Sequence, residues 1–595
     1  MRPKTILCLL LMLAMLFSIA ACTKKPAETT AASTTQTTKE QETTATTEPT
    51  SPYPTYLNLD AYYPLVNEGE DITIKVATTQ ADGYGTSNPD DYWFFAWIQQ
   101  KMNLTFEIEM IQGSAWAERK PLMFAGGDLP DLMLCMGLTT SDLVTYGESN
   151  KQLLEWSPYV NEELTPELSA WFEYYPKLRA SVSCAGGGLY SLPNSARPSD
   201  LGGTAARYFI NSTWLQEAGI DAPGTLDEFI DMLRAFKELY PDSIPMGGGY
   251  GSDSTATASS APNPCYAIFN ALGYITNDPY GLSPAIREDK VVIPAADVNY
   301  REFLETMKTL YDEELVSKDL FTTDLTQFNA LALEDKFGAM GYVPYLCLPE
   351  TWGEWESLSP LTSDISSTKQ WYNSDFFSTG HYCISADTKF PELLVRLGSW
   401  FFSDDGNVFA WGGPQAGSDE TLGMCGGWFI DKDKLFRQQD VLDGKYPNNW
   451  EYYLNECYPN GGFAGIGNTS GFSLENQETF YNIKWERGGY PEYARPLITT
   501  NGDNFFRISQ LEKLSDYVTA GYPTKVFFDA ETNNRISDLA TVINSYVRAE
   551  TAKFITGTRS LNEFDSYLTE LENLGMSEYL KYYVDYYEAY KAKLG

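Results

Sequence analysis

Short runs in which apolar and polar residues alternate are separated along this chain by longer stretches with a helical period. After Asp71, Ile72, Ile74 and Val76 alternate with polar neighbours, which predicts a strand. A helix is expected over about Tyr92–Lys101, and Phe106-Glu107-Ile108-Glu109-Met110 then alternates again. The run Asp131-Leu132-Met133-Leu134-Cys135-Met136 is continuously apolar after its acid, as in a strand covered on both faces. Strand, helix, strand, helix and buried strand in that order imply an α/β lobe with a mainly parallel sheet.

A second series opens at Arg207-Tyr208-Phe209-Ile210. Thr225 with Glu228 three residues on makes a capping box, and Leu226, Phe229, Ile230, Leu233 and Phe236 share one helical face. Pro391 suits the first turn of a helix whose stripe is Leu393, Leu394, Leu397, Trp400 and Phe401. Ser560 and Glu563 repeat the capping pattern before Phe564, Tyr567, Leu568 and Leu571, and Gly575 is placed to end that helix. The C-terminus is therefore expected to be helical. A chain of 595 residues exceeds what one core normally serves, so at least two cores are expected.

The first residues change the picture, because they read as an export signal. Arg2 and Lys4 precede an apolar run from Ile6 to Ala21, which stops at Cys22. Ile19-Ala20-Ala21-Cys22 resembles a bacterial lipobox, in which the cysteine becomes the lipidated first residue of the mature chain. Residues 1–21 are thus expected to be removed, with Cys22 as the anchor on the outer face of a bacterial plasma membrane. Residues 22–60 begin with Thr, Glu, Pro and Lys and little that is apolar, which predicts a disordered tether. At about 5–6 Å × √n its reach is roughly 30 Å.

Charge and cysteine usage exclude some partners. The formal net charge is −38 at pH 7, and loss of Arg2 and Lys4 makes it more negative, so phosphate backbones are repelled. Beyond Cys8 and Cys22 stand Cys135, Cys184, Cys265, Cys347, Cys383, Cys425 and Cys457, without a C-x-x-C pair. Buried free thiols are the default expectation, with one or two disulfides left open.

Several segments together resemble the family 1 extracellular solute-binding proteins of ABC importers, in the branch of large Gram-positive lipoproteins. They begin with Phe124-Ala125-Gly126-Gly127-Asp128-Leu129-Pro130-Asp131-Leu132 and continue with Gly188-Leu189-Tyr190-Ser191-Leu192-Pro193. Then come Tyr208-Phe209-Ile210-Asn211-Ser212-Thr213-Trp214-Leu215 and Ala218-Gly219-Ile220-Asp221-Ala222-Pro223-Gly224-Thr225. Gly380-His381-Tyr382-Cys383-Ile384-Ser385 and Lys553-Phe554-Ile555-Thr556-Gly557 complete the order. The resemblance implies a two-lobe, periplasmic-binding-protein-like α/β fold of type II, with mixed, mainly parallel sheets and helices on both faces. Its lobes are expected as 61–205 with a return at 378–505, and 206–377 with C-terminal helices at 506–595. It also implies a monomer that closes on a solute and presents it to membrane permease subunits.

Two segments depart from the family pattern. Tyr240-Pro241-Asp242-Ser243-Ile244-Pro245 is too short for the calcium loop of some relatives, so no metal or cofactor is expected. Trp411-Gly412-Gly413-Pro414-Gln415-Ala416-Gly417 replaces a Gly-x-x-Gly turn, which puts ligand contacts there in doubt.

A sugar offers apolar C–H faces rimmed by hydroxyls, so its receptor needs aromatic faces with Asp, Asn, Thr or Ser at the edges. Candidates lie in irregular segments after strands, where α/β sheets place ligands. They are Tyr84, Asp91 and Tyr92; Thr139, Thr140 and Ser141; Asn263 and Tyr266; Tyr342, Trp352 and Trp355; and Trp411 and Trp428. Core packing, loop anchoring or the seam between lobes are the competing roles for each. His381 is the only histidine, so any Ser–His or Cys–His system must use it, and no P-loop or H-E-x-x-H is present. The expectation is binding without turnover of a mono- or oligosaccharide. A surface carbohydrate-active enzyme using two carboxylates, drawn from Asp128, Asp131, Glu354 and Glu356, stays open, as do a peptide receptor and a glycan-tethering protein.

Overall fold

In the computed structural model, the described residues are 52–80, 92–174, 176–195, 208–250, 265–276, 280–341, 344–348, 351–373, 377–403 and 513–594. Short pieces at 278, 406, 409, 428–430, 436–438 and 444–445 are also described.

The first sheet is built from the expected alternating runs. Thr73–Gln80 lies between Thr105–Gln112 and Leu132–Leu134, parallel to both, and Tyr382–Ile384 pairs antiparallel with Leu132–Leu134 at the edge. Leu132–Leu134 is covered on both faces, which is why it is apolar at every position, while Thr73–Gln80 keeps its alternation. Ile74, Val76, Leu132, Leu134, Tyr382 and Ile384 enter one core, together with the Trp93–Met102 and Pro391–Trp400 helices. There Trp97 stacks on Trp400 with ring centres 5.8 Å apart. Ala77, Met133 and Cys383 point the other way, into a smaller core with Phe124, Tyr190 and Phe527.

The second sheet departs from the expected parallel arrangement. Its order is Trp355–Ser357, Phe209–Asn211, Ala339–Met340, Met246–Gly247, and only the last pair is parallel. Strands of two or three residues offer too few positions for alternation to reveal direction, and Phe209–Asn211 runs against both its neighbours. The helices around this sheet follow the sequence closely. Leu226–Leu239 is closed by the predicted Thr225/Glu228 box and buries Leu226, Phe229, Leu233 and Phe236. Its core also takes in Tyr300, Phe303 and Leu310 of one helix and Leu539, Ile543 and Val547 of the Ala530–Ile555 helix.

Two expectations need correction. Residues 52–60, expected in the tether, are packed: Leu57 is buried, bridges to Val66, and Tyr56 meets Phe390 edge-on. The threonine-rich stretch gives way to Tyr53, Tyr56, Leu57 and Leu59, which supply the apolar surface that the tether lacks. At the C-terminus, Ser560 accepts from the Asn562 amide rather than from Glu563, so a single 3₁₀ turn, Leu561–Glu563, precedes the Phe564–Asn573 helix. The helical C-terminus itself is present, ending in Met576–Leu594.

Candidate functional site

Between the sheets the chain crosses in paired strands. Asn194–Ser195 pairs antiparallel with Phe377–Ser378, and Trp371–Asn373 pairs parallel with Val518–Ala520. Gly380 sits where the second crossing enters the first sheet, with a φ of 85°. A Cβ there would stand 1.9 Å from the Leu138 carbonyl oxygen, so only glycine fits so close an approach. The approach is fixed by paired bonds: the Leu138 amide donates to Gly380 O at 2.9 Å and the Gly380 amide to Ser191 Oγ at 2.8 Å.

The carboxyl ends of the first sheet's strands therefore converge on this crossing. Thr79 Oγ1 donates to Cys135 O at 2.7 Å, and the Cys135 amide donates to His381 O at 2.6 Å. Thr139 closes the next turn: its hydroxyl accepts from the Asp142 amide while the Asp142 carboxylate takes the Thr139 amide at 2.8 Å and Lys120 Nζ at 2.6 Å. In the second sheet, Met246–Gly247 and Ala339–Met340 end side by side, followed by Gly248-Gly249-Tyr250 and Gly341. Parallel strand ends of this kind are where α/β sheets bind ligands.

The sequence candidates fall into three groups. Thr140 and Ser141 are half-buried on the turn after Leu132–Leu134, and Tyr266 opens the Tyr266–Ala271 helix. Trp352 starts a 3₁₀ turn just before Trp355–Ser357, and Trp428 begins a hairpin strand paired with Phe436–Gln438. Tyr84, Asp91, Asn263, Tyr342 and Trp411 lie outside the described residues. Three candidates hold other jobs. Tyr92 is 4% exposed within the first core and Trp355 is 5% exposed against Phe209, Phe337 and Met340, while Thr139 is spent as a cap. Periodicity shows that a residue is apolar and near a strand end, but not which way its ring turns; both rings turn inward.

Nominated chemistry meets the same test. Asp131 accepts the Lys75 amide at 2.9 Å and Thr388 Oγ1 at 2.7 Å, which ties neighbouring segments together, and Glu356 pairs with Lys513 at 2.6 Å. These two carboxylates are structural. His381 is partly buried, and burial with the nearby Lys525 charge holds its imidazole below the ordinary value of 6.5. Burial likewise lowers the Lys525 ammonium. Neither of these influences on His381 is an acid of the kind that orients a histidine as a base. Among the described residues no group of three or more His, Cys, Asp or Glu could hold a metal ion. In the short loop after Leu226–Leu239, Lys237 Nζ donates to Ser243 O at 2.8 Å.

Cys135, Cys184, Cys265, Cys347 and Cys383 are free thiols, as the default expectation had it, and Cys425 and Cys457 lie outside the described residues. Burial pushes the thiols of Cys135, Cys184, Cys347 and Cys383 up to about 12, which makes them inert at neutral pH.

Comparison with known proteins decides what this arrangement is. The family model described as bacterial extracellular solute-binding protein matches residues 73–343, which run from the first strand of one sheet past the Ala339–Met340 strand of the other. Over that stretch, somewhat under half of its length, the chain is similar to this family. A relative over a longer stretch is the fructooligosaccharide ABC transporter substrate-binding protein FusA of Streptococcus pneumoniae, 23% identical over 501 residues, covering 80% of this chain and 84% of FusA. Among solved structures, an HMO binding ABC-transporter associated solute binding protein from Bifidobacterium longum infantis superposes with a TM-score of 0.69 at 17% identity. That match covers 87% of this chain and 99% of the other. FusA in complex with kestose superposes with a TM-score of 0.59 at 20% identity, with 87% and 99% covered. The fold is thus that of the two-lobe binding proteins, and it contains two four-stranded sheets, one around Thr73–Gln80 and one around Phe209–Asn211. No helix among the described residues is long and apolar enough to cross a membrane.

Proposed function

We propose that this chain captures an oligosaccharide between its two lobes, leaves it chemically unchanged, and delivers it to the permease subunits of an ABC importer. The observation that carries the reading is the family match running through the strand ends of both sheets, beside relatives named for carbohydrate uptake. Closure is the working step: a solute that contacts both lobes favours the arrangement in which they meet, and only that difference in affinity shifts the equilibrium. We read Cys22 as the lipid anchor, residues after it as the tether to the outer membrane face, and the mature chain as a monomer. Lobe 1 is read as 61–205 with 378–505, and lobe 2 as 206–377 with 506–595.

For the sugar wall we propose Thr140, Ser141, Tyr266, Trp352 and Trp428, with Tyr84, Asp91, Asn263, Tyr342 and Trp411 from the neighbouring segments. Hydrolysis is disfavoured because Asp131 and Glu356 are each engaged in holding the fold. The test is a thermal-shift screen of the mature chain against sugars and peptides, in which a ligand at 100 times its Kd adds about 2.7 kcal/mol of stability. A response to one or more oligosaccharides supports the reading. Silence toward every sugar with a clear response to peptides overturns its carbohydrate part.

A further inference from the structure

The last helix, Met576–Leu594, packs at its start on the core around Leu226–Leu239 and at its end against Pro176–Val182. At about 1.5 Å per residue its length is roughly 28 Å, enough to cross from one lobe to the other. Its first turn is rooted in lobe 2: Met576 and Tyr579 are buried with Leu539, Tyr567 and Leu571, and Arg535 Nε donates to Glu578 at 2.7 Å. Its end is fastened to lobe 1. Tyr590, 7% exposed, places its hydroxyl 3.0 Å from Ser181 Oγ, and Lys593 Nζ donates to Cys184 O at 3.0 Å.

Between these ends the helix lies along the segment by which the chain leaves the Val518–Ala520 crossing strand. Tyr522 donates its hydroxyl to Tyr583 O at 2.9 Å and stacks on Tyr587 with ring centres 5.6 Å apart. Tyr586 donates to Lys525 O at 3.0 Å, and Phe528 meets the edges of Tyr583 and Tyr586. Two residues beyond Lys525, Phe527 enters the lobe 1 core beside Ala77 and Met133. Tyr579, Tyr583, Tyr586 and Tyr590 recur at steps of three and four, so they form one stripe down the helix. Tyrosine suits the task because its ring packs while its hydroxyl reaches a backbone carbonyl or a serine on the far side.

We propose that this helix is a splint across the hinge, fixing the 520–528 crossing segment and holding the Pro176–Val182 edge of lobe 1 to lobe 2. Lobe closure then turns about the splint, and the range of open arrangements is narrowed before any solute arrives. The inference needs the two lobes but not the identity of the solute.

The experiment is amide hydrogen exchange on the mature chain without added solute, comparing wild type with a chain ending at Tyr587 and with Tyr590→Phe. The splint predicts that the shortened chain exchanges about tenfold faster at 176–188 and 520–528, while amides in Leu226–Leu239 and Pro391–Trp400 keep their protection. Tyr590→Phe, which keeps the ring and loses only the hydroxyl, gives a smaller rise confined to 176–188. Unchanged exchange in both variants overturns the proposal, as does a uniform rise across both lobe cores. Small-angle scattering supplies the independent readout: the shortened chain gains radius of gyration if the splint narrows the open ensemble, and an unchanged radius contradicts it.

Discussion

Arg396 lies with its guanidinium carbon 4.6 Å from the centre of the Tyr62 ring, where an N-terminal strap, residues 53–62, packs on the core of the first sheet. The same guanidinium donates to Asn58 O at 3.0 Å, Leu59 O at 2.7 Å and Leu164 O at 3.1 Å, while Tyr62 itself donates to the Glu167 carboxylate. A charge that is 2% exposed is thus satisfied by backbone carbonyls and a ring face.

Removing that cation leaves several carbonyls without their donor. Arg396→Met is expected to lower stability by about 3 kcal/mol, measured by urea unfolding. It also opens the strap, so limited proteolysis cuts first within residues 53–62. Equal resistance of the two chains to protease would show that the apolar contacts of Tyr56 and Leu57 hold the strap alone.

Gly380 makes a sharper prediction, because both its φ and its contact with Leu138 O exclude a side chain. Gly380→Ala should cost about 2–4 kcal/mol, seen as a lowered melting temperature or loss of folded yield. Gly353, whose added Cβ meets nothing within 4 Å, is the control and should tolerate alanine with little change.

His381 sets a pH dependence whose sign follows from its lowered pKa. The unfolded chain takes up this proton near 6.5, before the folded one does, so stability is full above that value and falls as pH drops through the lower folded value. Unfolding curves from pH 7 to pH 5 should show a loss that His381→Asn abolishes. A loss of equal size in that variant would assign it to other groups.

The helix caps give a graded comparison. Thr225→Ala should cost about 1 kcal/mol, because the hydroxyl accepts the Glu228 amide at the start of a long buried helix. Ser560→Ala should cost less, since Ser560 closes only a 3₁₀ turn at 3.3 Å. Equal losses in thermal melts would mean that the two caps do the same work.

These caps also show what was legible in the sequence. Thr225 and Pro391 could be read because a cap or a helix-starting proline acts within one turn of its own position. The lobe 1 sheet was readable for a similar reason: Thr73–Gln80 and Thr105–Gln112 are long enough to display alternation. Strand direction in lobe 2 was not, because Ala339–Met340 and Met246–Gly247 are two residues each, and pairing depends on partners about a hundred positions away. The strap was missed because Arg396, which holds it, stands more than 300 positions from Asn58 and looks like a surface cation in a helix. The site was legible only as a neighbourhood: strand ends identify the loops, but the inward turn of Tyr92 and Trp355 depends on packing that no local pattern records.

The central claim is capture without conversion, and native mass spectrometry of the mature chain with neutral and acidic oligosaccharides tests it directly. The account predicts a one-to-one complex with at least one glycan, which after prolonged incubation is released with its mass unchanged. Glycan recovered as shorter products, or no complex with any saccharide while peptides bind, would contradict it.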